Sequence, residues 1–339
     1  MVEEVVARTI RGWIESAHRV TVITHTNPDG DAIGSSLALA LALVKLGKEA
    51  QVVIPDGLPD FLRWLPGIER SVTFAYKREK AVELIDKADL IFCLDFNDPK
   101  RINGVDEYLQ RSTARKVLID HHQNPVSFTD IAITETWRGS VGEMIYIFLR
   151  EVFDDDMIDK DIATNLYVGI MTDTGNFSYG SSYQEIFHIV GDLMKYNIEK
   201  DRIFSNVYDA FTVDRLRLQG YCMQEKLVVL PQYHTAYISL TEEELKHHKH
   251  RKGDTEGFVN IPFSIKGIKF TALFIEKKDR IKISFRSRGK FPVNLVASEH
   301  YSGGGHINAA GGDSFTSMEE TLAGFESLLP EYAKLLDDE

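Results

Sequence analysis

This chain of 339 residues is poor in cysteine and has no apolar run long enough to cross a bilayer. Its two cysteines, Cys93 and Cys222, lie far apart and lack the spacing of metal-binding cysteines, so neither a thiolate metal site nor an oxidising compartment is indicated. The longest apolar run, residues 37–44, is too short for a membrane span and predicts a buried helix. The first residues have neither the basic start nor the apolar core of a secretory signal. We therefore expect a cytoplasmic protein that does not enter a membrane.

Positive charge is also scarce overall, but it is concentrated in one segment. The net charge is −12, with 39 Lys and Arg against 51 Asp and Glu. Residues 246–290 nevertheless hold thirteen Lys and Arg against four Asp and Glu, a local charge of +9, so the rest of the chain carries −21. A solvated surface would account for this segment, and so would a surface that binds an anion. The asymmetry favours an anion that docks on the C-terminal half.

The order of the apolar segments predicts an α/β protein. In the N-terminal part, strand-like runs such as Glu49–Ile54 and Leu90–Leu94 alternate with helical patterns, and Ser140-Val141-Gly142-Glu143 fits a capping box ahead of a helix. This alternation is typical of a mainly parallel sheet covered by helices. After residue 184 the pattern becomes helical, and strand signals return at Leu227–Leu230, Thr235–Leu240, Phe270–Ile275 and Ile281–Phe285. The last two are joined by a turn-like segment, which predicts a hairpin. We expect a first domain over 1–196, a helical linker over 197–226 and a smaller α+β domain over 227–339.

Acidic and histidine residues form four motifs in a fixed order. They are His25-Thr26-Asn27-Pro28-Asp29-Gly30-Asp31, Asp95, Asp120-His121-His122 and Asp173-Thr174-Gly175. An apolar run leads into each of the first three, so we expect these side chains at the carboxyl ends of strands, where open α/β sheets keep their sites. So many carboxylates and imidazoles in one crevice would repel one another without a cation, which predicts a hydrolytic site with two metal ions. Mixed imidazole and carboxylate ligands favour manganese over magnesium.

Each motif taken alone has a simpler explanation. The sequence Asn-Pro-Asp-Gly at residues 27–30 is a common turn, and a single aspartate after a strand, such as Asp95, is often a helix cap. Chance accounts poorly for the full ordered set.

Together the motifs resemble those of the DHH phosphoesterase superfamily. Near the C-terminus, Gly303-Gly304-Gly305-His306, preceded by Ser284-Phe285-Arg286-Ser287, resembles the small DHH-associated domain. A chain of this length with both features is most similar to the bacterial bifunctional oligoribonuclease and pAp phosphatase (nanoRNase) family, over about residues 20–315. The resemblance implies that 1–196 is the catalytic domain and 227–339 the substrate-binding domain, with the active site in the cleft between them.

The resemblance also implies a role for each residue of the four motifs. One metal ion would be held by His25, Asp29 and Asp95, and the other by Asp31, Asp95, His121 and Asp173, so that Asp95 bridges the two. The implied catalytic residues are Asp120, which would orient an imidazole, and His122, which would face the substrate phosphate. His122 would stabilise developing charge or protonate the leaving oxygen. A hydroxide bound by both metal ions would attack the phosphorus.

The C-terminal motifs predict an anion-binding surface. Three consecutive glycines leave backbone amides open to a phosphate, His306 adds a donor, and arginine offers forked donors that match a phosphate. The substrate contacts expected here are Arg286, Ser287, Arg288, Gly303, Gly304, Gly305 and His306.

Other residues have two expected roles. Arg101 could bind phosphate, but a surface Arg101 beside a helix-capping Asp98 is an equal alternative. Phe285, Phe291 and Tyr301 could stack a base, although core packing is the expected role of Phe285 because it alternates with apolar residues on a strand.

The implied function is a metal-dependent hydrolase that degrades short oligoribonucleotides to mononucleotides and removes the 3′-phosphate of pAp to give AMP. Its partners would be short single-stranded RNA, pAp and two divalent metal ions, with manganese expected and magnesium as the alternative. A phosphodiesterase for linear or cyclic dinucleotides and a non-catalytic RNA or nucleotide sensor are the rival hypotheses. The sequence leaves cleavage polarity, protein partners and oligomeric state open, and it is compatible with a homodimer.

Overall fold

The computed structural model describes residues 3–153, 157–251 and 253–337. By their internal contacts the residues divide into two units, Met1–Ala210 and Phe211–Glu339, and each unit contains one six-stranded sheet. The division falls inside the predicted linker 197–226, whose helices are shared between the units. Within the described residues, every helix is too short or too polar to span a bilayer.

The sheet of the first unit is parallel throughout. Its strands are β1 (Arg19–Ile23), β2 (Glu49–Ile54), β3 (Ser71–Thr73), β4 (Leu90–Leu94), β5 (Arg115–Asp120) and β6 (Ile131–Thr134). Their spatial order is β3-β2-β1-β4-β5-β6, and every neighbouring pair is parallel. The predicted parallel sheet is confirmed. The chain reverses its direction across the sheet between β1 and β4, and such a switch point is where open α/β sheets bind ligands.

Helices cover both faces of this sheet. They are α1 (Glu4–Ser16), α2 (Gly30–Lys45), α3 (Arg78–Asp86), α4 (Asp106–Arg111), α5 (Val141–Val152), α6 (Lys160–Asp173), α7 (Gln184–Met194) and α8 (Lys200–Tyr208). One core joins α1, α2, α5 and α6 to one face, and a second joins α3 and α4 to the other. All five residues of β4 are buried because both faces are covered, which explains its uninterrupted apolar sequence.

The second unit is a smaller α+β structure, as predicted. Its helices are α9 (Val213–Tyr221), α10 (Glu242–His247), α11 (Val293–His300) and α12 (Met318–Asp337), and its strands are β7 (Leu227–Leu230), β8 (Thr235–Leu240), β9 (Phe270–Lys277), β10 (Arg280–Ser287), β11 (Gly304–His306) and β12 (Ala309–Ser314). The spatial order is β11-β12-β10-β9-β8-β7, with β8 and β9 parallel and the other pairs antiparallel. The predicted hairpin is β9–β10, and its strands are longer than expected because pairing continues to Lys277 and Arg280.

Candidate metal centre

The first motif occupies the loop between β1 and α2. His25 is buried two residues after β1, and Asp29 is the N-cap of α2, with its Oδ1 accepting a hydrogen bond from the Ala32 amide at 2.9 Å. The other carboxylate oxygen of Asp29 lies 3.8 Å from His25 Nε2. Asp29 therefore caps α2, and both side chains lie at the switch point.

Asp31 lies in the first turn of α2 and is fully buried. Its two oxygens accept hydrogen bonds from the amides of Val141, at 2.6 Å, and Gly142, at 2.8 Å, which are the first residues of α5. The free amides and dipole of a helix N-terminus stabilise a carboxylate there. Gly169 passes so close that a Cβ at that position would lie 2.6 Å from Asp31 Oδ1, so only glycine fits.

Asp95 lies between the other groups, directly after β4, and is buried. Its Oδ2 is 3.3 Å from His25 Nε2, and its Oδ1 is 3.6 Å from His121 Nε2. The backbone of Asp95 is left-handed, with φ of 64°, a conformation that a non-glycine residue adopts at some cost and that is common at functional sites. Asp95 Oδ1 is also 3.5 Å from His122 Nδ1, so one oxygen of this carboxylate faces His25 and the other faces His121 and His122.

The Asp120-His121-His122 motif begins on the last residue of β5 and sends its two imidazoles in different directions. His121 Nε2 is 3.2 Å from Asp173 Oδ2, and Asp173 ends α6. His122 donates from Nδ1 to Asp120 Oδ1 at 2.7 Å. Asp120 is fully buried and so fixes the ring of His122. The predicted imidazole partner of Asp120 is thus His122.

The hydrogen bonds of His25 and His121 determine which nitrogen of each ring is protonated. His25 Nδ1 is 2.8 Å from the Thr26 carbonyl, and His121 Nδ1 is 3.0 Å from the Arg138 carbonyl. A carbonyl only accepts, so each Nδ1 carries a hydrogen, and in the neutral ring each Nε2 directs a lone pair into the cluster. Imidazoles held in this way are typical metal ligands.

Within the first unit, the side chains form three groups in which one ligand atom from each residue lies within 4.8 Å of the others. The groups are His25, Asp29 and Asp95; Asp31, His121 and Asp173; and Asp95, Asp120 and His122. Three buried polar atoms at this place lack a hydrogen-bond partner: His25 Nε2, Asp95 Oδ1 and Asp120 Oδ2. Leaving such atoms unpaired costs free energy, and a cation would recover it. The residues therefore fit divalent metal ions.

The pKa values of the cluster reflect the burial of its side chains and the repulsion among its carboxylates. Burial, and then the charges of Asp95 and Asp173, raise the pKa of Asp31 well above its ordinary value. Burial alone would lower the pKa of His121, but Asp95 and Asp31 outweigh it and raise that pKa. Without a cation the cluster thus retains protons, which metal binding would release.

In the second unit, the C-terminal motifs form one edge of the sheet. Arg286 of β10 and His306 of β11 both pair with Ala309 of β12, which lies between them. Residues directly opposite in antiparallel strands point to the same face, so the two side chains share the face of β10 that lies opposite buried Phe285. The next row along this face is made of Ser284, Gly311 and Gly304. Small residues thus separate the two donors.

The glycine run is part of a strand as well as a loop. Gly304 to His306 pair with β12, and a Cβ at Gly303 would lie 2.0 Å from the Gly311 carbonyl oxygen. Close approach of the two strands therefore requires glycine here, whether or not a ligand binds. Because β11 is the edge strand, one side of its backbone faces away from the sheet.

Ser287 and Arg288 differ in their environments. Ser287 is buried, and its hydroxyl donates to the Phe291 carbonyl at 2.6 Å and accepts from Asn308 at 2.8 Å. We therefore expect Ser287 to support the loop instead of contacting substrate as predicted. Arg288 is exposed, with its guanidinium 4.8 Å from the Phe263 ring centre.

The aromatic residues of this region pack in the core. Phe285 is fully buried, which confirms its expected role. Phe291 and Tyr301 are buried in the same cluster at 1% and 6% exposure, so the prediction that they could stack a base is wrong. The helix α11 and the end of β12 place both rings against the core, which the local sequence did not indicate.

The backbone carbonyl of Arg101 has a structural role. It accepts hydrogen bonds from both the amide and the hydroxyl of Thr26 at 2.8 Å, and so fixes the loop beside His25. Asp98 caps the short 3₁₀-helix Pro99–Ile102 by accepting from the Lys100 amide at 2.9 Å. The capping alternative is therefore correct for Asp98, and phosphate binding by Arg101 stays a prediction.

The sequence reasoning missed the contribution of residues 138–142. The Ser140–Glu143 pattern predicted a capping box, and Ser140 does accept from the Glu143 amide at 3.2 Å. The Glu143 side chain, however, accepts from the Gly139 amide at 3.0 Å instead of the Ser140 amide. The capping pattern predicted the start of α5, but it did not show that the first backbone amides of this helix donate hydrogen bonds to Asp31.

Comparisons with known proteins agree with these features. Residues 19–170 match the N-terminal domain of the DHH family, and residues 231–333 match the DHHA1 domain. The crystal structure of an exopolyphosphatase-related protein from Bacteroides fragilis superposes with a TM-score of 0.93 at 41% identity, covering 98% of this chain and 97% of that one.

Two curated relatives are more distant in sequence. The bifunctional oligoribonuclease and PAP phosphatase NrnA of Bacillus subtilis (strain 168) is 27% identical over 311 residues, 91% of this chain and 94% of the relative. The cyclic-di-AMP phosphodiesterase PdeA of Listeria monocytogenes is 26% identical over 321 residues, 90% of this chain but 46% of the relative. The matched ranges contain the first three acidic and histidine motifs and the C-terminal motifs, whereas Asp173-Thr174-Gly175 follows the first range by a few residues.

Proposed function

The chain belongs to the DHH family of phosphoesterases, and we propose that it hydrolyses short oligoribonucleotides to mononucleotides and removes the 3′-phosphate of pAp to give AMP. The observation that carries this proposal is the position of Asp95, whose two oxygens face the imidazoles of His25 and His121. One carboxylate shared by two ligand groups is the arrangement that a pair of metal ions requires. The activity named for the Bacillus subtilis relative supports this choice of substrates.

His25, Asp29 and Asp95 would hold one metal ion, and Asp31, Asp95, His121 and Asp173 the other. Manganese is the proposed ion because imidazole and carboxylate ligands are mixed, and magnesium is the alternative. When bound, the two ions would lower the pKa of a coordinated water and polarise the phosphoryl oxygens.

His122 would act on the substrate as a donor. Because its Nδ1 hydrogen is bound to Asp120, a proton delivered to a leaving oxygen would come from Nε2 of the imidazolium, which would leave His122 neutral. Burial, and then the charge of Asp95, raise the pKa of Asp120 to about 6. A metal ion nearby would oppose this effect and favour the carboxylate that orients His122.

Arg286 and His306 would bind the substrate in the second unit. They lie on one face of the sheet with small residues between them, and a Cβ at Gly304 would meet open space. A nucleotide phosphate or sugar could lie on the small residues between Arg286 and His306 and be contacted by both side chains. Arg288 and the outer backbone of Gly303–Gly305 would add contacts. The interdomain cleft and the cytoplasmic location stay predictions.

Product analysis with the full chain tests this function. The chain would be incubated with Mn²⁺ and end-labelled ribonucleotides of two to five residues, and in parallel with pAp, cyclic di-AMP and pyrophosphate. We expect mononucleotides from the oligomers and AMP plus phosphate from pAp. Turnover of cyclic di-AMP alone would identify a dinucleotide phosphodiesterase, and binding without turnover of any substrate would identify a sensor. Either result would contradict the proposal.

A further inference from the structure

One short segment, residues 138–142, contacts two of the proposed ligands of a single metal position. The Arg138 carbonyl accepts from His121 Nδ1 at 3.0 Å, and the amides of Val141 and Gly142 donate to the two oxygens of Asp31 at 2.6 and 2.8 Å. The ligands of the other position have different supports. His25 is oriented by Thr26 and Asp29 by Ala32. A shift of the 138–142 segment would therefore displace Asp31 and His121 but leave His25 and Asp29 in place.

Glu143 and Tyr183 hold this segment through hydrogen bonds to its backbone. Glu143 is fully buried, and its Oε1 accepts from the Gly139 amide at 3.0 Å and from the Tyr183 hydroxyl. The Gly139 amide also lies 2.9 Å from the Tyr183 oxygen, so the three groups form a closed triangle. The Glu143 amide in turn donates to Ser140. Among the described residues, Glu143 belongs to none of the potential ligand groups, so its burial serves the segment and not a metal ion directly.

Arg138 fixes the other end of the segment. Its guanidinium is buried, forms ion pairs with Glu135 at 2.8 Å, Glu185 at 2.9 Å and Glu143 at 3.7 Å, and lies 4.0 Å from the Trp137 ring centre. A buried cation paired in this way has little freedom to move. The carbonyl that orients His121 is thus anchored by its own side chain.

We propose that Glu143 and Tyr183 are positioning residues that hold the 138–142 segment and thereby set the affinity of the metal position formed by Asp31, His121 and Asp173. The inference rests on the metal assignment of the proposed function. Groups that orient the ligands of a metal typically change its affinity about ten- to a hundredfold when they are removed. The effect should be confined to one ion, because only one position depends on this segment.

The test is Mn²⁺ binding to the full chain after metal removal, measured by isothermal titration calorimetry without substrate. We expect the wild-type chain to bind two Mn²⁺ ions. Tyr183→Phe should weaken one of them by about tenfold, and Glu143→Ala by up to about a hundredfold, with the second ion unchanged. Glu143→Gln keeps an oxygen that can accept from the Gly139 amide, so it should restore much of the affinity that Glu143→Ala loses.

Tyr146→Phe is the matched control. Tyr146 lies on α5, as Glu143 does, and its hydroxyl donates to a carboxylate, Asp192 of α7, instead of to a group that holds the 138–142 segment. The Tyr146→Phe variant should bind both ions with wild-type affinity. Circular dichroism and thermal unfolding of every variant would show that the fold is retained.

The outcomes separate the two proposals. Unchanged binding in folded Tyr183→Phe and Glu143→Ala, equal weakening of both ions, the same loss in Tyr146→Phe, or fewer than two ions in the wild type would each overturn the inference. If the wild type binds two ions and the variants lose one as expected, but no substrate is hydrolysed, the proposed function fails and the inference stands.

Discussion

Arg286 and His306 pair with the same residue, Ala309, from opposite sides. The two side chains therefore lie on one face of the sheet, two strand spacings or about 10 Å apart. This spacing suits two contacts to one nucleotide-sized anion better than two contacts to a single phosphate.

Replacing either residue should weaken substrate binding without affecting bound metal. Arg286→Ala and His306→Ala should each cost about 1.5–3 kcal/mol, or about ten- to a hundredfold, mainly in KM for oligoribonucleotides. Steady-state kinetics on a labelled trinucleotide would measure this. The salt dependence of binding should also become flatter, because fewer counterions are released. Lys278→Ala, which removes a charge from the exposed turn of the same hairpin, is the control. Unchanged KM and kcat in both variants would mean that this surface does not bind substrate.

Asp95→Ala should abolish turnover. The residue is buried between His25 and His121 and is proposed to contact both metal ions, so its loss should cost roughly a thousandfold or more in kcat. Rates with saturating Mn²⁺ and the metal content of the variant would be measured together. Near-normal activity would remove Asp95 from the bridging role.

Removal of divalent metal should stop catalysis reversibly. The ligand groups combine imidazoles with carboxylates, so Mn²⁺ should restore activity after chelation more fully than Mg²⁺. The measurement is activity after exhaustive dialysis against a chelator and after addition of each ion. Full activity in the metal-free chain would contradict the mechanism.

Mn²⁺ binding should weaken as the pH falls. Although burial alone would lower the pKa values of His25 and His121, neighbouring carboxylates raise both above the ordinary value of 6.5. Each imidazole must lose a proton to bind metal, so affinity should be greatest above these pKa values. It should decrease by up to about tenfold per pH unit for each competing proton as the pH falls through them. Calorimetry from about pH 8 to about pH 6 would test this, and a pH-independent affinity would argue against imidazole ligands.

Part of the stability of the second unit should depend on the ionised carboxylate of Glu244 and should be lost in acid. Burial alone would raise the pKa of Glu244, but Lys226, the Thr241 amide and Tyr221 hold that pKa at about 2, below its ordinary value of 4.5. The lowered pKa stabilises the folded state above pH 4.5, and this contribution is lost as the pH falls from there towards about 2.

Glu244→Gln should therefore lower the free energy of unfolding near neutral pH and reduce its decrease across that acidic range. Urea unfolding at several pH values would measure both effects. Glu243→Gln, at the exposed neighbouring position, should change neither. Equal acid dependence in the two variants would show that Glu244 is not the responsible group.

Much of the fold was determined by the sequence alone. Strands β2, β4, β7 and β8 have the predicted bounds, because buried strands need continuous apolar runs and turns need polar residues or glycine. The four acidic and histidine motifs could be placed together for a related reason. The carboxyl ends of parallel strands meet at one edge, so a residue that follows a strand has a predictable position.

Only the tertiary structure decided the contacts that depend on register and on distant segments. Asp31 is held by amides that follow it by 110 and 111 residues, and no local pattern links these positions. The burial of Phe291 and Tyr301, and the alignment of Arg286 with His306 across Ala309, follow from how strands and helices pair in the second unit. The sequence thus determined which chemical groups the protein has and near which strand ends they lie. The packing of α5 against α2 and the register of β10, β12 and β11 decided which of those groups meet, since such contacts are fixed by the summed packing of many distant residues.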